Sequence, residues 1–176
     1  MTDEQSVTKK YYGKYRGTVV NNLDPLFSAR IQATVPAVTG LIPTTWATPC
    51  LPVAGLAEGM YAVPPIGAGV WIEYEEGDMQ KPIWTGCYVG TPADVPPIAH
   101  AAIPPGVSGY AIGTMLQNNI VVSDVPGPTG GIMLKSTTGA TIIVNDTGIY
   151  LQNGKGAAIT MVGPTVDVNL GALTIT

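Results

Sequence analysis

The sequence is short of charge. Asp, Glu, Lys and Arg make up 11% of its 176 residues, where soluble domains average about a quarter. It is also short of reactive side chains, with one histidine and two cysteines. Each shortage excludes something. A net charge of −4 argues against general binding to nucleic acid or anionic membranes, which requires a basic face. Low charge beside 45% apolar residues is the opposite of a disordered composition. Any Ser-His-Asp or Cys-His arrangement would depend on His100, in a proline-rich stretch that cannot hold catalytic geometry. Cys50 and Cys87 cannot build a structural zinc site, which takes four ligands. They read as reduced, buried thiols, because the first ten residues, MTDEQSVTKK, carry no secretory signal. No apolar run reaches the roughly 18–20 residues of a membrane helix, since glycine or proline interrupts every candidate. No cofactor or metal site is expected.

What is present is turn chemistry and apolar strands. Glycine (22) and proline (16) are frequent, and the mean hydropathy is +0.26. Fourteen of the first 90 residues are charged against six of the remaining 86. Three regions follow an N-terminal tail over residues 1–10.

Residues 11–90 read as short strands. Tyr11–Val20 mixes aromatic and β-branched residues with polar ones, and Asn21–Pro25 supplies a turn. Ile31, Ala33 and Val35 alternate with Arg30, Gln32 and Thr34, which predicts a strand with one wet face. Pro43–Pro65 reads as a loop-rich excursion. Val70, Ile72 and Tyr74 alternate in the same way, Glu75–Asp78 is a turn, and Pro82–Val89 closes the set. Several short strands without any helical period predict a small closed or partly closed barrel. Glu73 and Glu75 share a strand face, but a solvated strand end explains them better than an acid/base pair. Residues 91–113 contain two Pro-Pro pairs and predict a mostly extended linker in which His100 is a surface residue.

Residues 114–176 differ in kind. Apolar-x-apolar strands begin at Ile132, Ile142, Ile149, Ile159, Val166 and Leu173, with partners Leu134, Val144, Leu151, Met161, Val168 and Ile175. The starts are 10, 7, 10, 7 and 7 residues apart, so Ile132, Ile149 and Val166 are 17 apart, as are Ile142 and Ile159. Ile120 and Val122 read as an earlier, less regular rung. Fixed-period strand pairs mark a repeat architecture that cannot enclose a core with so few residues. Several chains winding together would turn every apolar position inward, forming an intertwined rod. A meander packed on the barrel is the other arrangement.

The blocks GKYRGTVVNNLDP, ARIQATVP, WATPCLP, PPIGAGVWIEYEEGD and PIWTGCYVG resemble, in order, the OB-fold barrel of phage baseplate assembly protein V and VgrG-like spikes of contractile injection systems. The later stretch GIMLKSTTGATIIVNDTGIYLQNGKGAAI resembles the trimeric β-helical needle that follows that barrel. The resemblance implies an all-β chain: an OB-fold barrel over 11–90, then an intertwined homotrimeric β-helix over 114–176. It implies a non-enzymatic spike that punctures a target envelope on sheath contraction, contacting that envelope transiently and binding no specific nucleic acid. The twelve strand residues above would form the needle's trimer core. Lys9, Lys10, Lys14 and Arg16 would dock the trimer on a separate hub protein. No hub domain is expected ahead of the barrel. The 91–113 interval is too short for the lysozyme domain that some relatives insert. The C-terminal VDVNLGALTIT lacks the histidines of an iron-tipped needle, so a separate PAAR-type tip protein is implied. Synthesis in the bacterial cytoplasm and residence in a virion or injection particle follow.

A different class of function remains open. Trp46, Trp71, Trp84 and Tyr74 could form a stacking platform for glycans or oligonucleotides on a trimerising stalk. A tail-fibre adhesin is a third reading, although a fibre usually ends in a receptor-binding head.

Overall fold

A computed structural model describes residues 9–175, so most of the expected tail over 1–10 lies outside the described residues. The chain divides after Gly90 into two compact units. The first contains β1 (Tyr15–Asn21), β2 (Gln32–Thr34), β3 (Thr48–Pro49), β4 (Ala54–Gly55), β5 (Glu58–Gly59), β6 (Gly69–Tyr74) and β7 (Pro82–Cys87). Its main sheet has the order β2-β1-β6-β7-β3, with β3 parallel to β7 and every other neighbour antiparallel. The two edges meet: Ile31 and Ala47 exchange both backbone hydrogen bonds, and the Thr44 N–H donates to the Ala33 carbonyl. The sheet therefore closes into a barrel, which leaves no long open edge.

Period-two alternation decides what fills that barrel. Ile31, Ala33 and Val35 are fully buried, as are Val70 and Ile72 with Tyr74 behind them. Gly17 faces the same interior, where a Cβ would come 3.1 Å from the Thr34 carbonyl oxygen and 3.2 Å from Ile72. A side chain there would overpack the barrel. Trp84 lies inside, and its indole N–H donates to the Ala29 carbonyl at 2.9 Å.

That indole bond anchors the β1–β2 loop, which is otherwise organised by one carboxylate. Asp24 accepts from the backbone N–H groups of Leu26, Ser28 and Arg30 and pairs with the Arg30 guanidinium at 2.6 Å. The guanidinium, helped by the backbone donors, holds the Asp24 carboxyl well below the usual carboxylate range. The loop needs this fixing because Phe27 and Ala29 both adopt positive φ, at 51° and 57°, a region that bulky side chains avoid.

The second unit holds α1 (Pro97–Ala102) and eight strands: β8 (Gly109–Gly113), β9 (Asn119–Ser123), β10 (Gly131–Lys135), β11 (Thr141–Asn145), β12 (Gly148–Gln152), β13 (Ala158–Val162), β14 (Thr165–Val168) and β15 (Leu173–Ile175). They form one antiparallel meander in strict chain order. The alternating spacing of 10 and 7 residues has a simple origin. Five-residue connections (136–140 and 153–157) alternate with the two-residue connections Asp146-Thr147 and Gly163-Pro164.

The stretch 91–113 departs from the extended linker predicted by its prolines. Pro97 starts α1, where a fixed φ suits the first helical position, and Ile-Ala-His-Ala-Ala sustains it for six residues. Gly109–Gly113 is the first strand of the meander rather than linker. The cysteines depart as well: Cys50 and Cys87 are free but exposed, not buried.

Candidate functional site: an apolar sheet face

The five-residue strands of the second unit carry apolar side chains at their second and fourth positions, and the cross-strand register lines these up. One column runs Tyr110, Val122, Ile132, Val144, Ile149, Met161, Val166, Ile175. The other runs Ile112, Ile120, Leu134, Ile142, Leu151, Ile159, Val168, Leu173. The Tyr110 hydroxyl, on the first strand, is the one polar side-chain group in either column. Side chains alternate across a strand, so both columns lie on one face.

That face is open in the single chain. Exposure is 50% at Ile132, 45% at Ile142 and 37% at Ile149. Completing the burial of a half-exposed aliphatic side chain is worth about 1 kcal/mol. Covering both columns would therefore contribute on the order of ten kcal/mol per chain, against which the ordering cost of association is set. Every ladder joins strands consecutive in one chain. The inner strands thus satisfy their backbones without help, and the contact left for other chains is side-chain packing.

The opposite face is graded. Its central column runs Ala111, Val121, Met133, Ile143, Tyr150, Thr160, Asp167. The apolar start is covered on β8 and β9 by α1, with Ala102 and Val121 buried and the Ser123 hydroxyl donating to the Ala102 carbonyl at 2.5 Å. The later positions turn polar and need no cover. Tight turns keep the columns in register. Gly148 adopts φ 155° with the Met161 carbonyl oxygen 2.2 Å from where a Cβ would sit, and Gly131, one period earlier, has φ 81° and a similar approach to the Val144 carbonyl.

All twelve residues predicted for a shared core fall on this face. The prediction stopped short of Tyr110 and Ile112, which extend both columns to the first strand, and of the full membership of Ile120 and Val122. Their signal is the same apolar-x-apolar pattern in YAI and IVV, hidden by irregular spacing and proline-rich flanks.

The four cations predicted to dock a hub lie on the first unit, and three engage their own chain. Lys14 donates to Thr85 and pairs with Glu73, both at 2.9 Å. Arg16 sits over the rings of Trp71 and Tyr88, at 5.5 and 5.2 Å from their centroids. Lys9 lies over Tyr11 at 5.0 Å, and Lys10 is exposed. The stacking platform does not form from the four aromatics: Trp84 and Tyr74 are in the barrel core, Arg16 covers Trp71, and Arg30 lies 5.4 Å from the Trp46 ring centre. The exposed His100 ring nitrogen is 3.2 Å from the Pro92 carbonyl. Among the described residues no group of three His, Cys, Asp or Glu side chains could hold a metal ion, and no helix is long and apolar enough to cross a membrane.

A closed five-stranded barrel followed by a meander with one open apolar face defines an all-β protein with an unpaired C-terminal sheet face. Residues 15–88 match the type VI secretion system/phage-baseplate injector OB domain, and residues 110–174 match the phage baseplate V C-terminal trimerisation domain. The chain belongs to the baseplate spike proteins of the phage baseplate V and VgrG-like kind. Its role is structural, as a particle-associated homotrimer of the baseplate. Among curated proteins none matches the chain.

Proposed function

We propose that three chains turn their paired apolar columns toward a common axis, forming a stiff needle that punctures the target envelope when sheath contraction drives the tube forward. The observation that carries this reading is the unbroken pair of columns from Tyr110 and Ile112 to Ile175 and Leu173. A face whose one polar group over eight strands is the Tyr110 hydroxyl is built for burial, and three copies bury one another's. Stiffness follows from two sources: each sheet's own hydrogen-bonded ladder, and a close-packed core that resists bending. The work is mechanical, and no catalytic step is assigned to it.

The needle's core comprises Ile132, Leu134, Ile142, Val144, Ile149, Leu151, Ile159, Met161, Val166, Val168, Leu173 and Ile175, together with Tyr110, Ile112, Ile120 and Val122. A separate hub protein receives the barrels, with Lys10 the most available of the four predicted cations because the other three have partners within the chain. Leu170, 91% exposed on the turn between β14 and β15 and outside both columns, offers an apolar contact for a PAAR-type tip protein. The glycan- or oligonucleotide-binding alternative loses its platform with Trp84 and Tyr74 in the core.

Light scattering on the purified protein should give a mass near three chains of 18.2 kDa. Particles reconstituted with a chain truncated after the barrel should assemble a baseplate but fail to penetrate target cells. A monomer in solution, or truncated particles that penetrate normally, would overturn the needle.

A further inference from the structure

The barrel carries two exposed apolar features that its own core does not use, both at one end. The first is an arm. Leu51 and Val63 pack against the barrel core and pin its two ends, while every residue from Pro52 to Ala62 is exposed. Within it β4 and β5 form a two-residue-per-strand hairpin, and Leu56 at the tip is 102% exposed. Val53, Met60 and Tyr61 are each more than half exposed, and Glu58 is the arm's single charge. An isolated hairpin of this size is marginal in water and normally needs a surface beneath it.

The second feature is a knob on the β1–β2 loop, where Leu23, Leu26 and Phe27 are 80%, 67% and 83% exposed. The Asp24 network fixes this loop, and Phe27 is held at a positive φ that costs backbone energy. A rigid, strained loop that aims a phenylalanine at solvent is organised for contact. The Asn22 side-chain amide donates to the Pro64 carbonyl at 3.0 Å, tying the knob to the base of the arm. β7 also finishes at this end, where Cys87 pairs with Val70, and the chain leaves the barrel there.

We propose that the arm of one copy packs on the Leu23–Leu26–Phe27 knob of the next copy, closing a ring of three barrels. The symmetry argues for a second copy as the occupant. A cyclic trimer is joined head to tail, so each chain must offer two different complementary patches, and this end of the barrel offers an arm and a knob. The C-terminal half, a trimerisation domain over 110–174, tethers the barrels. A tether of this kind raises the local concentration of partner barrels to about the millimolar range, enough for a small apolar contact to form. The inference rests on the homotrimer but not on puncture or on a hub protein.

The test places a photoreactive benzophenone amino acid at position 56, Leu56→p-benzoylphenylalanine, in the full chain purified alone. The mass is first read by light scattering. Irradiation should give covalent dimers and trimers, with the cross-link mapping to residues 23–27 of the neighbour. Separately, Leu56→Lys and Phe27→Asp should each lower the barrel's melting temperature by several degrees without dissociating the trimer. The double variant should recover at least half of that loss. A trimer that yields no cross-link between chains, or yields one only when a second protein is added, overturns the proposal and leaves the needle intact. A monomer overturns both.

Discussion

Ile149 stands directly opposite Val144 across the Asp146-Thr147 turn, and both side chains lie on the open face of the meander. Met161 flanks Ile149 on its other side, so the position is central along its column. Substituting Ile149→Asp would place three carboxylates near a shared apolar axis. Burial of an unpaired charge is prohibitive, and like charges add to it. Trimers should be lost at neutral pH, read as a fall in scattering mass from three chains to one. Ile149→Val removes one methylene at a cost of about 1 kcal/mol and should leave the trimer in place. A stable trimer of the aspartate variant would refute the shared core.

Gly148 supplies a second test, one of register rather than apolarity. Its φ of 155° and the 2.2 Å approach to the Met161 carbonyl oxygen leave no room for a methyl group. Gly148→Ala must therefore shift the β12–β13 pairing that carries Ile149 and Leu151. The backbone cost alone is about 1–3 kcal/mol, and the displaced register adds to it. Thermal melts should show a lower midpoint for the C-terminal transition. By contrast, Gly156→Ala, where nothing lies within 4 Å, should pay only for its positive φ. Equal melting of the two alanine variants would argue against a fixed register.

Much of this was legible in the sequence because burial in strands has a period of two. Ile31, Ala33 and Val35, like Val70, Ile72 and Tyr74, alternate with polar neighbours, and each set is buried as read. The 17-residue offset made the columns visible before any register was known. Tyr110 and Ile112 were hidden because the helix and loop before them carry the prolines of an extended linker. The roles of the aromatics were hidden for another reason. Whether Trp84 faces inward, and whether Arg16 meets Trp71, depends on pairing between segments more than fifty residues apart. The exposure of Cys50 and Cys87 likewise depends on where the barrel wall ends.

The Asp24 network predicts an acid dependence specific to the barrel. Hydrogen bonds from Arg30 and three backbone N–H groups lower the folded-state pKa from its ordinary 3.8. The stabilisation is therefore fully present above that ordinary value and is lost as pH falls below it, toward the folded value. Asp24→Asn keeps the shape but gives up the charge and an acceptor, so the barrel should melt lower at pH 7. The variant should also lose less stability than the parent as pH is taken from 5 to 2. Parallel pH profiles for the two proteins would show that the carboxylate does not organise the loop.

Tyr74 predicts the reverse behaviour in alkali. Its ring packs against Tyr11 and Tyr15, with centroids 5.9 and 5.7 Å away, yet its buried hydroxyl has no hydrogen-bond partner among the described residues. Burial pushes the phenol up to about 12 from its ordinary 10.0, with the neighbouring tyrosines adding to the shift. The folded state thus holds its proton where the unfolded state has released it. Stability from this residue is present below pH 10 and declines as pH rises toward 12. An orphaned buried hydroxyl costs about 1–3 kcal/mol. Tyr74→Phe removes that cost while keeping the ring packing, so the barrel should melt at the same temperature or higher at pH 7. It should also lose less stability than the parent between pH 10 and pH 12. A clear drop in melting temperature at pH 7 would mean that the hydroxyl has a partner in the assembled trimer.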